Sequence, residues 1–110
     1  MVQRSIEHAL CFGLYHEGRQ IGFARVITDR ATFAYLGDVF VLEAFRGRGL
    51  ARWLLEGIQA HPELKGLRRW VLLTRDAHAL YRQVGWTSLA VPERYMERRF
   101  GDVYRRDAER

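Results

Sequence analysis

The sequence predicts a mixed α/β fold, an α+β arrangement in which a sheet of parallel and antiparallel strands carries helices on its faces. Three observations lead to this prediction. Three strand-like segments follow one another with short turns, a glycine-rich turn leads directly into an amphipathic helix, and a near-continuous apolar strand precedes a second helix. The resulting order, βββαβαβ, is typical of a mixed sheet flanked by helices.

The first three strands are predicted from alternating apolar residues and polar turns. Their predicted bounds are Cys11 to His16, Ile21 to Thr28 and Phe33 to Leu42. Short connections of this kind favour an antiparallel meander. Apolar residues within positions 1–10 are spaced as in a helix, so we expect a residual helix before the first strand.

The second half of the chain alternates helices and strands. The first helix follows the glycine turn and runs to about Ala60, because Pro62 disfavours helical backbone just before it. A near-continuous apolar run is expected to form a strand buried on both faces beside a parallel neighbour. The remaining predicted elements are the strand Leu67 to Thr74, the helix Asp76 to Val84, the strand Trp86 to Ala90 and an edge strand within Pro92 to Phe100.

Length and composition predict a single domain over residues 1–100 and a charged tail over 101–110. Apolar residues make up 48% of the chain and charged residues 28%, which is an ordinary globular profile. No apolar run approaches the length of a membrane span, and the first ten residues carry charges where a signal peptide needs an apolar core. We therefore expect no membrane association and a cytoplasmic location.

The chain contains one cysteine, Cys11, and four scattered histidines. A lone thiol cannot form an internal disulfide, and these residues make no credible metal site, so no metal is expected. Because Leu10 and Phe12 flank Cys11, we predict a buried structural thiol rather than a nucleophile.

The glycine-rich turn predicts an anion site. Gly47 and Gly49 allow the main chain to approach a ligand closely, and the first amides of the following helix have no partners within it. Arg46, Arg48 and Arg52 add charge that can pair with phosphate oxygens. The alternative is a flexible strand-to-helix connection with solvated arginines.

The net charge of +5 is concentrated around this turn. Residues 44–82 contain eight basic and three acidic side chains, whereas the rest of the chain has ten of each. A ligand with several phosphates would explain this placement. Nucleic acid would explain it too, but the aromatic residues alternate with aliphatic ones as in a core, so nucleic acid is not the expected partner.

Two patterns in this order and at this separation resemble the signature motifs of the GCN5-related N-acetyltransferase (GNAT) family. The first is Arg-x-x-Gly-x-Ala at Arg46, Gly49 and Ala51, after an apolar strand. The second is an Ala-x-x-Leu-Tyr helix followed by Gly-Trp. Its residues are Ala77, Leu80, Tyr81, Gly85 and Trp86. The resemblance spans residues 11–90 and implies the acyl-CoA N-acyltransferase fold.

The resemblance implies direct acetyl transfer from acetyl-CoA, the co-substrate, to a primary amine of a small molecule or peptide within a ternary complex. Tyr81 takes the family's general-acid position beside the coenzyme sulfur, and a phenol pKa of about 10 suits protonation of a thiolate. The alternative is a tyrosine packed on the sheet with its hydroxyl bonded to backbone.

Asp38 is the predicted base, because a carboxylate inside an apolar strand is costly to bury unless it faces a cavity or a partner. Family members often place a carboxylate on this strand beside the acceptor amine. Solvent exposure, pairing with Arg25 or substrate binding are the alternatives for Asp38. Glu43 and His78 are weaker candidates.

The resemblance assigns coenzyme contacts to main-chain and side-chain groups of two regions. The pantetheine arm is expected to pair with the third strand like an added strand, with one amide stabilising the oxyanion. The expected contacts there are Val39, Phe40 and Val41. The pyrophosphate is expected over Arg46, Gly47, Arg48, Gly49, Leu50 and Ala51. Thr74, where the family often has asparagine, and Ala77 are the remaining expected contacts.

Family members usually carry one or two helices before the first strand, and these wall the acceptor site. At most ten residues precede it here. We expect either a homodimer, whose second subunit completes the site, or an incomplete acceptor pocket. Two alternatives to an acetyltransferase therefore stay open: an acetyl-CoA-binding module with weak or no catalysis, and a basic nucleic-acid-binding domain.

Overall fold

The computed structural model describes residues 9–100, whose centre is a four-stranded sheet with the strand order β1-β2-β3-β4. The strands are β1 (Leu10–His16), β2 (Arg19–Thr28), β3 (Phe33–Val41) and β4 (Arg69–Leu72). The first three form the antiparallel meander, and β4 pairs in parallel with β3. The predicted mixed sheet is confirmed. The predicted first helix and the charged tail lie almost entirely outside the described residues.

Two helices accompany the sheet, α1 (Leu50–Gln59) and α2 (His78–Arg82). Helix α1 ends before His61, whose Nδ1 accepts a hydrogen bond from the Glu63 amide and opens a short 3-10 turn at Pro62–Leu64. Helix α2 is shorter than predicted. Further 3-10 turns lie at Glu43–Phe45 and Pro92–Arg94.

The predicted strands after α2 were wrong. The described residues from 86 to 100 contain no strand. Over residues 9–100 the order of strands and α-helices is therefore βββαβα. The indole of Trp86 instead donates to Gln59 Oε1 and packs edge-on against Trp70, while Pro92 has no amide hydrogen for a strand ladder. As a result β4 has no strand on its second side among the described residues, and it is half-buried rather than covered on both faces.

Both described helices pack on one face of the sheet, the inner face. Alternate residues of β2 and β3 point to it and form one core with α1 and α2. Its buried members are Ala24, Val26, Ala34, Leu36, Leu54, Leu55, Ile58, Leu64 and Tyr81.

The opposite, outer face carries apolar side chains that stay exposed. The exposed fraction is 46% for Ile27, 42% for Phe33 and 46% for Phe40. Cys11 also lies exposed here, because it pairs with Arg25 of β2 on this face. The prediction of a buried thiol was therefore wrong: alternation in β1 turns the neighbours of Cys11 inward instead.

Candidate active site

A β-bulge interrupts β3 at the predicted catalytic carboxylate. Phe40 pairs with Phe23 and Gly37 pairs with Arg25, so β3 has one more residue than β2 between these two pairs. Asp38 lies in the bulge with a φ of 54°, in the left-handed region. The pairing between β3 and β4 ends just before it, at Leu36. Beyond this point the edge of β3 is open among the described residues.

Main-chain groups of β3 line the open edge. The Phe40 carbonyl faces β2, since its oxygen would lie 3.0 Å from a Cβ built on Gly22. Because main-chain groups alternate along a strand, those of Val39 and Val41 face the open edge. An added extended chain could therefore hydrogen-bond to Val39 and Val41, but not to the main chain of Phe40.

The glycine turn leaves space at the N-terminus of α1. Gly47 and Gly49 have φ values of 80° and 75°, and a Cβ at either would meet no atom within 4 Å. The first helical bond runs from the Trp53 amide to the Gly49 carbonyl, so the amides of Leu50 and Arg52 point outward without partners in the helix. A cavity of about 360 Å³, the turn cavity, opens here. Its lining includes Val41, Phe45, Arg46, Gly47, Gly49, Leu50, Ala51 and Arg52.

The three arginines of the turn do not converge on one point. Arg46 donates through Nε to the Val41 carbonyl at 2.9 Å and thereby ties the turn to β3. The Arg48 guanidinium lies over the Phe45 ring, 5.6 Å from its centroid. Arg52 pairs with a glutamate one helical turn later. Anion binding at this turn would therefore depend first on main-chain amides, with side-chain charge in support.

Helix α2 separates the turn cavity from a second one of about 280 Å³, the tyrosine cavity. Leu80 and Gln83 line the turn cavity, whereas His78 and Tyr81 line the tyrosine cavity. Tyr81 is only 9% exposed and its ring packs edge-on against Trp86 at 5.9 Å. Burial raises the pKa of Tyr81 above its usual value, so the phenol is neutral over the physiological range.

The end of β4 also borders the tyrosine cavity. Leu72, Leu73 and Thr74 contribute to its lining. The Thr74 hydroxyl accepts a hydrogen bond from the Ala77 amide at 3.0 Å, which satisfies a donor at the start of α2. Thr74 therefore lies beside Tyr81 and holds the helix that carries it.

Asp38 and Tyr81 lie on opposite faces of the sheet. The Asp38 carboxylate forms an ion pair with Arg25 on the outer face, and the exposed side-chain fraction is 56% for Asp38 and 16% for Arg25. Of the alternatives for Asp38, solvent exposure and the pair with Arg25 are both observed. Asp38 and Tyr81 can act on one bond only through the gap that opens between β3 and β4. Glu43 is exposed in its 3-10 turn, and His78 is exposed beside Tyr81.

Sequence patterns did not single out Gln59, which connects α1 to the segment after α2. Its Nε2 donates to the Val84 carbonyl at 3.0 Å, and its Oε1 accepts from the Trp86 indole at 2.8 Å. These partners are far apart in sequence, so no local spacing signals the contact.

Within residues 9–100, no helix has the length and apolar character needed to cross a bilayer.

Comparisons with known proteins agree with this architecture. A family model for the acetyltransferase (GNAT) domain matches residues 7–88. A solved structure from Xanthomonas campestris pv. campestris, assigned to the GNAT acetyltransferases, is 55% identical with a TM-score of 0.88, covering 94% of this chain and 72% of its own. A protein from Elizabethkingia anophelis, solved with acetyl-CoA bound, has a TM-score of 0.69 at 14% identity, covering 92% of this chain and 72% of its own.

A curated relative from Gibberella zeae, named as an acetyltransferase, is 35% identical over 70% of this chain. The match spans 54% of that relative's length, so this chain corresponds to about half of it. The distant Elizabethkingia structure supports the fold alone. The family model and the Xanthomonas structure together show that this chain belongs to the GNAT family of acetyltransferases.

Proposed function

We propose that this chain is an acetyl-CoA-dependent N-acetyltransferase that acetylates a primary amine by direct transfer in a ternary complex. The family membership supports acetyl transfer. The observation that carries the finer proposal is the position of two features at the same end of β3: the open edge at Val39 and Val41, and the glycine turn at the N-terminus of α1.

Coenzyme A fits these two features by its chemistry. Its diphosphate needs several hydrogen-bond donors at close range, and the turn offers main-chain amides beside Gly47 and Gly49, where no side chain intervenes. Its pantetheine arm contains amide groups that can pair with an open strand edge, as at Val39 and at the amide of Val41, whose carbonyl already accepts from Arg46. Arg46 and Arg52 at the lining of the turn cavity add positive charge.

Different residues around the gap between β3 and β4 can serve different steps of acetyl transfer. Acetyl-CoA supplies an activated acyl group as the thioester. The acceptor amine attacks the carbonyl carbon, and an outward amide at Val39 or Val41 is placed to stabilise the charge that develops on the oxygen. The departing thiolate needs a proton, which the neutral phenol of Tyr81 can donate from the inner face.

Asp38 would act from the outer face. The ion pair with Arg25 fixes the position of the Asp38 carboxylate. We assign Asp38 to orienting the acceptor amine and to receiving its proton directly or through water. In this arrangement the acyl acceptor and the departing thiol meet catalytic groups from opposite sides of the sheet.

Calorimetry and a thiol-release assay test the proposal. We expect acetyl-CoA to bind the wild-type chain and to release thiol in the presence of an accepted amine from a panel of small amines and peptides. A Gly49→Trp variant should lose coenzyme binding, because a bulky side chain would fill the cradle and the left-handed φ strains any L-residue. A Gly57→Ala variant is the matched control, since Gly57 lies within α1 away from the turn.

The same assays separate the alternatives. Coenzyme binding without thiol release from any amine would identify a binding module and contradict the catalytic proposal. Absence of coenzyme binding together with oligonucleotide binding would favour a nucleic-acid-binding domain. Binding that survives in Gly49→Trp would show that the glycine turn does not hold the diphosphate.

A further inference from the structure

A third cavity, of about 570 Å³, carries concentrated positive charge. We call it the arginine groove. It lies beside β4 and the segment that follows α2, and its lining includes Arg68, Arg69, Arg94, Trp70, Trp86 and Tyr95. Within residues 9–100, no aspartate or glutamate contributes to the lining. In this part of the chain the groove therefore combines an aromatic wall with guanidinium groups and no opposing carboxylate.

The arginines sit on anchored backbone. The amides of Arg68 and Arg69 both donate to the Thr32 carbonyl, at 2.9 and 3.3 Å, at the start of β4. The Arg69 guanidinium lies over the Tyr95 ring, 5.5 Å from its centroid. Arg94 belongs to the 3-10 turn Pro92–Arg94. All three are exposed and form no ion pair with another described residue.

Side-chain contacts hold the tryptophans of the groove wall in place. The rings of Trp70 and Trp86 pack edge-on with centroids 6.2 Å apart, and Gln59 holds both the Trp86 indole and the Val84 carbonyl. The two tryptophans are half-buried against each other, so they offer an edge to pack against rather than an exposed platform for stacked bases.

The groove adjoins the tyrosine cavity. Trp70, Trp86 and residues 87–89 line both spaces. In contrast, no residue that lines the turn cavity lines either of them. A ligand in the arginine groove would therefore approach Tyr81 from a different side than a coenzyme held at the glycine turn.

We propose that the arginine groove is an acceptor subsite for peptides whose free amine is followed by acidic side chains. This inference rests on the proposed function and adds the substrate class. Guanidinium groups bind carboxylates bidentately, and the second edge of β4 can hydrogen-bond to an extended peptide. The groove adjoins the tyrosine cavity, so the amine of a bound peptide would lie near Tyr81 and could reach the gap between β3 and β4, where Asp38 acts.

The test compares two peptides of equal length and with the same free N-terminal residue. One carries glutamates at the following positions and the other carries glutamines. In the thiol-release assay we expect kcat/KM to be about tenfold higher for the glutamate peptide at low salt, and the preference to shrink as salt screens the charges.

Charge-reversal variants test which arginines cause the preference for the glutamate peptide. Arg69→Glu combined with Arg94→Glu should abolish or invert it while turnover of a small uncharged amine is retained. Arg19→Glu combined with Arg30→Glu makes the same change in net charge at the first residue of β2 and in the turn that follows β2, outside the groove lining, and should keep the preference. Loss of preference in both double variants would show a general charge effect and overturn the proposal.

Fluorescence anisotropy of the labelled glutamate peptide, with coenzyme A present, separates this inference from the proposed function. If small amines are acetylated but both peptides react equally, the subsite is wrong and the acetyltransferase stands. If no amine releases thiol, the proposed function fails, and peptide binding that depends on Arg69 and Arg94 would still support the groove. Binding of an oligonucleotide but not of the peptide, lost in the same variant, would overturn the acidic-peptide proposal in favour of nucleic acid.

Discussion

Both faces of the sheet carry apolar side chains, but the surroundings of the two faces differ. On the inner face, Val26 and Ala34 are fully buried beneath α1, whereas on the outer face Ile27 and Phe33 remain 46% and 42% exposed. Neighbouring residues of the same strand therefore differ because helices cover one face and no described helix covers the other. The contrast shows that burial depends on what packs against a strand, beyond the hydrophobicity of its side chains. The two faces also divide the proposed catalytic groups, with Tyr81 inside and Asp38 outside.

The largest expected effect is on stability at the inner face. Leu55 is 0% exposed, so Leu55→Ala should lower the free energy of unfolding by roughly 2–5 kcal/mol through lost burial and a residual cavity. Ile27→Ala, the matched truncation on the outer face, should cost less than about 1 kcal/mol. Chemical denaturation measures both. Similar losses for the two variants would show that the outer face is covered in solution.

The next effect is on turnover. Tyr81→Phe should lower kcat by about 100-fold with little change in coenzyme affinity, because a general acid contributes to the chemical step. Tyr35→Phe makes the same change on β3 without touching the tyrosine cavity, so its kcat should match wild type. Wild-type activity of Tyr81→Phe across the pH range would remove the acid assignment.

The ionisation of Tyr81 with pH tests whether the inner face keeps this phenol buried. Burial raises the pKa of Tyr81 in the folded chain, so its stabilising contribution is fully present below the pKa of an unfolded tyrosine, about 10, and is lost as pH rises beyond that value. Spectroscopic titration of tyrosinate, compared between wild type and Tyr81→Phe, should show Tyr81 ionising only above this pH. Ionisation at a lower pH would contradict the buried environment.

The smallest effect is expected in the β2–β3 turn, which belongs to neither face. Hydrogen bonds to the Asp29 carboxylate hold its pKa far below the usual range. The Thr32 hydroxyl makes the largest contribution, and the amides of Thr32, Ala31 and Phe33 add to it. The stabilisation is present above the unfolded pKa of 3.8 and is lost as pH falls through the folded value. Asp29→Ala should slightly lower the denaturation midpoint at neutral pH, and this difference should shrink in strong acid.

Asp29→Asn is the control for the turn, because its side-chain oxygen can still accept amide hydrogen bonds. It should lie between wild type and Asp29→Ala in the midpoint of chemical denaturation. A pH-independent difference between wild type and Asp29→Ala would show that the charge of Asp29 is not what holds the turn.

Local sequence patterns determined much of this protein. Alternation and turn residues predicted the meander, glycines predicted the turn before α1, and the tyrosine motif predicted a helix that carries Tyr81. These features depend on residues a few positions apart, whose preferences act through the same short stretch of backbone.

Only the tertiary structure decided how distant segments meet. It set the bulge that opens β3 beside Asp38, paired Asp38 with Arg25 and brought Arg69 and Arg94 into the lining of one groove. It also kept the segment after Trp86 out of the sheet through contacts with Gln59. Sequence periodicity says which side of an element is apolar, but the surface that it meets depends on the packing of the whole chain.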